Sequence, residues 1–488
     1  MTDTRRVQVL IVGSGAGGAI TALELAKRGL DVCVLEQGSR WSLDGYGQGS
    51  VEAMRRLYRR RGMTPILGKV PIGYVEGACL GGSTEINSGF WHRTPREVLL
   101  RWTAQFDLQH ASPEDLAPHF DAVEKLLDVG LYKGPLPRST EVFARGIEAM
   151  GWAAQQVPRT APGCKSTNAC AAGCPTGAKQ GMSRRIIPEA EAAGARVITD
   201  CTAKLLLTSG TRVTGVLAEV RVDGGRRDLV RIDADHVFLC AGPTETPALL
   251  RRSGIKHHVG DSLRIHPMLK VAAMFPERID AQDSVLPLLQ VKEFWPDISI
   301  GGAFFTPGHL AMLLGDNWLD NRAQMRRYRN MATYYVAVRG SGRGSVRPSF
   351  FGDGATVLRY ELSHEDEIHL SKGLARLATL LLAAGATEVH PTVQGLPVIR
   401  REVEAIRWLD ERLPRSALSL TTVHAFSSCP AGERRDRCAT DSFGKLQGFD
   451  NLYLNDASIL PDSPGVNPQG SVMALARRNA IRFGESLQ

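Results

Sequence analysis

Three observations predict an α/β fold. A β-rich run from Val7 to Val12 leads directly into the glycines of IVGSGAGG. A helical pattern and a second short strand follow in order, which is the strand, turn, helix, strand succession of a Rossmann-like nucleotide-binding domain. Far down the chain, from about 268 to 423, strand-like runs such as MATYYVAVRG and ATVLRYELS precede the long helical pattern DEIHLSKGLARLATLLLAAGA. That half is expected to form an α+β domain on a mostly antiparallel sheet backed by helices.

The totals agree with such a chain. Its 488 residues, 43% apolar and 23% charged, suffice for two or three globular domains. Val7 to Val12 is too short for a signal peptide and lacks a small-residue cleavage site, and no apolar run approaches the length of a membrane span. Nine cysteines, an odd number in so long a chain, suit reduced thiols. A cytoplasmic location without a membrane span is therefore expected. The net charge of +8 is diffuse, and the basic residues around RRYRN, Arg339 and Arg343 lack the interleaved aromatics that single-strand binding needs. Nucleic acid is not an expected partner.

In the first strand–turn–helix, Gly13, Gly15 and Gly18 have separate duties. Gly13 makes the tight turn, Gly15 lets backbone approach a pyrophosphate, and Gly18 lets helix pack on strand. The helix AITALELAKRG closes at Gly29, and the next strand, Val32 to Leu35, ends on Glu36. A carboxylate there accepts the hydrogen bonds of an adenosine ribose and repels a 2′-phosphate, which disfavours NADP. These residues leave NAD and FAD both open.

A second glycine-rich stretch, GACLGGSTEINSGFWHR, has neither helical nor strand periodicity and reads as a loop lying flat against a ligand. Gly81, Gly82 and Ser83 allow main-chain amides to reach polar atoms, and Asn87 offers a donor and an acceptor. GGSTEIN resembles the G-G-S-S-x-x-N segment of the glucose-methanol-choline (GMC) oxidoreductases, where it borders the FAD pyrophosphate and isoalloxazine. The resemblance implies FAD as cofactor. Some members of that family tether the flavin through a histidine just before this Asn; Ile86 stands there, which excludes a covalent bond at that position.

Further on, Ser112, Pro113 and Glu114 mark a helix start, with Leu116, Phe120 and Leu126 in helical register. CKSTNACAAGCPTGAK then places Cys164, Cys170 and Cys174 within eleven residues. An iron–sulfur cluster is considered there, but short C-x2-C steps and a fourth local thiolate are missing, and zinc lacks a nearby His. Buried thiols or one local disulfide are expected instead, and no metal. The strand DHVFLCAG ends on Ala241 and Gly242; in the family this step completes the FAD fold. VGDSLRIHP resembles the V-G-x-N-L-x-x-H segment beyond it, with Asp261 and Ser262 departing slightly. His266 in it is expected to be a structural hydrogen-bonding histidine. Phe304, Phe305, Trp318, Tyr334 and Tyr335 are read as core rather than pocket.

Chemistry concentrates in the last seventy residues. TTVHAFSSCPAG resembles the family's H-x-x-G-T-C segment with Ser427 for Gly and Ser428 for Thr, and it keeps His424, which in the family is the catalytic base. In GVNPQGSVMALARR, Asn467 is the natural N-cap and Pro468 the natural first helical residue. The family's second catalytic position, His or Asn, falls on Asn467. Asp456, in LNDAS, resembles the family acid near the FAD ribityl and pyrophosphate.

The resemblance thus implies FAD-dependent oxidation of a CH–OH group, with a small-molecule alcohol as substrate and oxygen or another acceptor as oxidant. It also implies interleaved domains: FAD-binding segments 1–100, 159–267 and 424–488, a helical cover at 101–158, and a substrate-binding segment at 268–423. Two other readings stay open. One is a different flavin reaction on the same fold; the other is an electron-transfer flavoprotein with a cysteine-bound cluster.

Overall fold

The computed structural model describes residues 6–47, 49–222, 225–349 and 355–487. Val7–Val12 forms the centre of a first sheet, paired in parallel with Val32–Leu35 on one side and with the end of Arg227–Leu239 on the other. Arg196–Ile198 extends it beyond Val32–Leu35, and Leu452–Leu454 pairs with Arg227–Leu239, both in parallel. Residues such as Val9, Leu10, Ile11 and Val34 are fully buried, because helices cover both faces of a parallel sheet. The helices Ala16–Ala26 and Gln469–Glu485 pack against each other on it. Arg227–Leu239 serves two pairings: its second half joins the parallel set, and its first half runs antiparallel to Arg212–Arg221, which pairs in turn with Cys201–Ser209.

Among the described residues the second sheet has eleven strands. Its centre is Met268–Met274, antiparallel to Met331–Val338, which is followed outward by Ile298–Gly302, Leu289–Val291 and Ala154–Gln156. Among the described residues only the junctions of Thr356–Glu361 with Thr64–Leu67 and of Ile72–Tyr74 with Leu420–Thr422 are parallel, so the sheet is mostly antiparallel, as the strand pattern predicts. The helix His364–Ala383 backs it. Ser363 and Asp366 form a reciprocal capping box at its start, and Leu370, Leu374, Leu377 and Leu381 bury one stripe.

Segment boundaries differ from the expected ones at two places. Thr64–Leu67 and Ile72–Tyr74, inside segment 1–100, and Ala154–Gln156, inside 101–158, all belong to the second sheet. Strands of three or four residues are too short for alternation to reveal. Residues 96–150 contain the helices Arg96–Phe106, Pro113–Leu126 and Arg138–Met150, and Ser112 caps the second of these in a capping box with Asp115. Among the described residues no helix is long and apolar enough to cross a membrane.

Candidate active site

A cavity of about 680 Å³ is walled by both sheets, from the Gly13–Gly17 turn to His424 and Lys270. At the first-sheet end the wall is mostly backbone. Gly13 has φ +103°, and a Cβ there would stand 2.3 Å from the Cys240 carbonyl, so turn and neighbouring strand touch. Gly15 differs: its φ of −67° suits any residue, and nothing lies within 4 Å of where its Cβ would stand. It opens onto the cavity at the start of helix Ala16–Ala26, whose first turn has no side-chain cap. An uncapped helix N-terminus reached through a bare glycine is a site for phosphate.

Glu36 sits beside it, 5% exposed, its carboxylate accepting from Ser14 N (3.0 Å), Ser14 Oγ (2.6 Å) and Gly38 N (2.9 Å). Burial pushes its carboxyl above the usual range, and those hydrogen bonds oppose the shift. Across the turn, Asp456 accepts from Gly242 N (2.9 Å), Thr246 Oγ1 (2.6 Å) and Ser458 N (2.7 Å), and burial raises its carboxyl too. Gly82, Ser83, Asn87 and Ala241 also line the cavity. Gly18 and Gly81 do not. Gly18 stands behind the turn, where a Cβ would collide with Gly13 O, and the Gly81 N–H donates to Ser14 Oγ at 2.9 Å.

At the other end the wall is made of side chains. Arg264–Ile265 and Ala425–Phe426 form a two-residue antiparallel ladder, which brings His266 and His424 together at its exit. His266 Nδ1 lies 3.0 Å from His424 Nδ1, and His266 Nε2 lies 2.9 Å from Ser463 Oγ. Asn467 Nδ2 lies 3.1 Å from His424 Nε2. Behind it, Gln290 Nε2 is 3.4 Å from Asn467 Oδ1 and donates to Tyr335 OH at 2.7 Å, while Lys292 Nζ donates to Gln290 Oε1 at 3.2 Å.

This chain of contacts assigns the protons. A lysine only donates, so Gln290 turns its oxygen to Lys292 and its amide nitrogen to Asn467. Asn467 then turns its nitrogen to His424, whose Nε2 must be the unprotonated acceptor. His424 Nδ1–H donates to His266 Nδ1, and His266 Nε2–H donates to Ser463. Burial lowers His424 to about 4 and drives His266 well below its ordinary value, so both rings are neutral at pH 7.

The predicted pair His424 and Asn467 is therefore in contact. The expected N-cap role for Asn467 is not what the structure shows: the helix begins at Gln469 after Pro468, and the Asn467 side chain turns to His424 and Gln290 instead. His266, read as structural, also lines the cavity and touches His424 directly. Gln290, Lys292, Lys270 and Ser463 had no signal beyond polarity in otherwise apolar surroundings. Of the aromatics, Phe304 and Tyr335 line the cavity, Phe305 and Tyr334 are core, and Trp318 is exposed.

Cys164, Cys170 and Cys174 are free and partly exposed, so the structure contains no disulfide there. Arg159, 2% exposed, donates to the Ser88 carbonyl through Nε and Nη2 and to the sulfurs of Cys164 (3.5 Å) and Cys170 (3.4 Å). Lys179 Nζ donates to the carbonyls of Glu85, Asn87 and Cys170. Among the described residues no group of three or more His, Cys, Asp or Glu side chains is placed to hold a metal ion.

Two family descriptions match this chain, the N-terminal part of the GMC oxidoreductases over residues 10–268 and their C-terminal part over 342–476. An uncharacterized GMC-type oxidoreductase of Sinorhizobium fredii is 38% identical over 471 residues, covering 96% of this chain and 93% of the relative. A long-chain-alcohol oxidase of Arabidopsis thaliana is 27% identical over 519 residues, covering 99% and 68%. Among solved structures, pyridoxine 4-oxidase from Mesorbium loti superposes with a TM-score of 0.74 at 17% identity, covering 98% and 99% of the two chains. A formate oxidase superposes equally well at 16% identity, covering 100% and 99%. With the open glycine cradle at one end of its cavity and these matches along nearly its whole length, the chain belongs to the GMC oxidoreductase family and is an FAD-dependent enzyme.

Proposed function

We propose that this enzyme oxidises the CH–OH group of a small-molecule alcohol to an aldehyde or ketone, with oxygen or another acceptor as the final oxidant. The observation that carries the reading is the 3.1 Å contact of Asn467 with the lone pair of a neutral, partly exposed His424 at the cavity wall. Gly13, Gly15, Glu36, Gly82, Ser83, Asn87, Ala241, Gly242 and Asp456 are the residues that would hold FAD, with Gly18 and Gly81 supporting the two glycine turns from behind. FAD, when bound, supplies the acceptor for the carbinol hydride.

The protein's own residues do the rest. The alcohol oxygen enters between His424 and Asn467, in place of their mutual hydrogen bond. His424 Nε2 accepts the hydroxyl proton, and Asn467 Nδ2 donates to the oxygen and holds it in place. His266 and Ser463 fix the tautomer that leaves Nε2 free, and Gln290 with Lys292 fixes the face that Asn467 presents. General-base assistance of this kind contributes about a hundred- to ten-thousandfold in rate.

The alcohol-oxidising activity named for the Arabidopsis relative supports the reaction class. We assign the first sheet and its helices to FAD and the second sheet to the substrate. The nine cysteines, all free, favour a reducing, cytoplasmic setting. The test is an anaerobic screen of alcohols, sugars and cyclitols that follows bleaching of the flavin absorbance. His424→Ala and His424→Gln should both slow single-turnover bleaching; near-normal rates in both would remove His424 as the base. A flavin that no alcohol bleaches would favour another flavin reaction on the same fold.

A further inference from the structure

The strand Met268–Met274 reads MLKVAAM, and every residue in it is apolar except Lys270. Side chains alternate across a strand, so Leu269 and Val271 face the buried core at 0% exposure, while Met268 and Lys270 face the cavity. Lys270 stands opposite Tyr335 on the neighbouring strand, which also lines the cavity. Lys270 is partly exposed on the cavity wall, and an ammonium withdrawn even partly from bulk water gains from an anionic partner. Lys270 has none: among the described residues no ion pair or side-chain hydrogen bond engages its Nζ, and burial alone accounts for its lowered pKa.

The surrounding polar groups do not supply the missing charge. His309, near enough to feel Lys270, is pushed down to about 4, first by burial and then by that ammonium, and is neutral. The carboxylate of Asp316 lines the same cavity but accepts from Ser419 Oγ at 2.7 Å and makes no ion pair with Lys270. Met268, on the Lys270 face of the same strand and two residues nearer His266, lines the cavity together with Ala303 and Phe304. Lys270 lies four positions beyond His266, a span of roughly 13 Å in extended chain. The cofactor phosphates have their own cradle in the first sheet, across the cavity.

We propose that the substrate is an elongated alcohol bearing an anionic group, carboxylate or phosphate, which Lys270 binds while the carbinol lies between His424 and Asn467. This rests on the alcohol-oxidising reading above and adds the substrate's class. An apolar spacer then lies along Met268 and Phe304, and the anion supplies the partner that the fold withholds from Lys270. The diffuse surface charge of the protein selects no anion; an ammonium on the cavity wall, with no hydrogen-bonded or ion-paired side chain among the described residues, does.

The test compares ω-hydroxy carboxylates, ω-hydroxyalkyl phosphates and n-alkanols of graded, matched length as substrates of the holoenzyme. The native enzyme should favour an anionic series in kcat/KM, with an optimum length. Lys270→Met should reduce that preference about ten- to hundredfold, the worth of a hydrogen bond to a charged group. Lys270→Arg should keep most of it, and the better of the two anionic series identifies the group. A native enzyme that prefers alkanols, or a preference that Lys270→Met leaves unaltered, overturns the proposal. If no alcohol bleaches the flavin, the oxidation reading fails by itself. Calorimetry with alkanoates then decides this inference: binding lost in Lys270→Met supports it, and equal binding in both proteins overturns it.

Discussion

The two sheets face one cavity with different materials. The first presents backbone, a glycine turn and the bare start of a helix; the second presents side chains, among them Lys270, Gln290, Lys292 and Tyr335. Backbone recognition tolerates almost no substitution at the contact point but places few demands elsewhere. Side-chain recognition depends on register: Gln290 meets Tyr335 because Gln290 pairs with Gly301 and Gly301 with Tyr335 across three strands. On the assignment proposed above, the difference separates an end built for a cofactor from an end built to suit one substrate.

The sharpest way to break the comparison is His424→Gln, expected to lower the flavin-reduction rate by about a hundred- to ten-thousandfold while the FAD content stays unchanged, as stopped-flow and absorbance ratios will show. Gly15→Val addresses the opposite end. Its backbone accepts a side chain, so the protein should fold, yet FAD affinity should drop at least about a hundredfold because amide contacts with a charged phosphate are blocked. Gly13→Ala, with its positive φ and 2.3 Å collision, should instead cost the fold itself; circular dichroism of the two variants separates these outcomes.

Acid sharpens the side-chain end. His424 has a folded pKa of about 4 against an ordinary 6.5, so between those values the unfolded chain binds a proton that the native chain refuses. Its contribution is complete above pH 6.5 and is lost as the pH falls toward 4, by about 3 kcal/mol. Urea melts at pH 7 and pH 4.5 should show this loss in the native protein and a smaller one in His424→Asn. Gln290→Leu releases the amide that orients Asn467, and kcat should fall about tenfold with KM changing less. The smallest expected effect is at Ser427, which holds a left-handed φ of +61° where the H-x-x-G-T-C segment that TTVHAFSSC resembles has glycine. Among the described residues its buried hydroxyl has no hydrogen-bond partner. Ser427→Gly should raise stability by about 1 kcal/mol, read as a higher Tm.

Legibility follows the same division. Val7–Val12, the glycine turn, Val32–Leu35 and Glu36 lie within thirty residues and obey local rules, so their structure could be read directly. His424 and Asn467 were recognisable through their flanking residues, but their contact depends on a two-strand ladder and a helix start from distant segments. The capping preference of Asn467 was a sound local inference that tertiary contacts with His424 and Gln290 override. Lys270 and Gln290 were unreadable because nothing local to a strand reports which face will meet a cavity. The thiols of Cys164 and Cys170 gave no hint that one guanidinium would bridge them.

That bridge ties two parts of the molecule together. Arg159 and Lys179 hold the carbonyls of Glu85, Asn87 and Ser88, while the same guanidinium rests on two cysteine sulfurs. The cysteine segment works as a buttress for the wall that carries Asn87. Oxidation of those sulfurs would withdraw that support from the wall that carries Asn87.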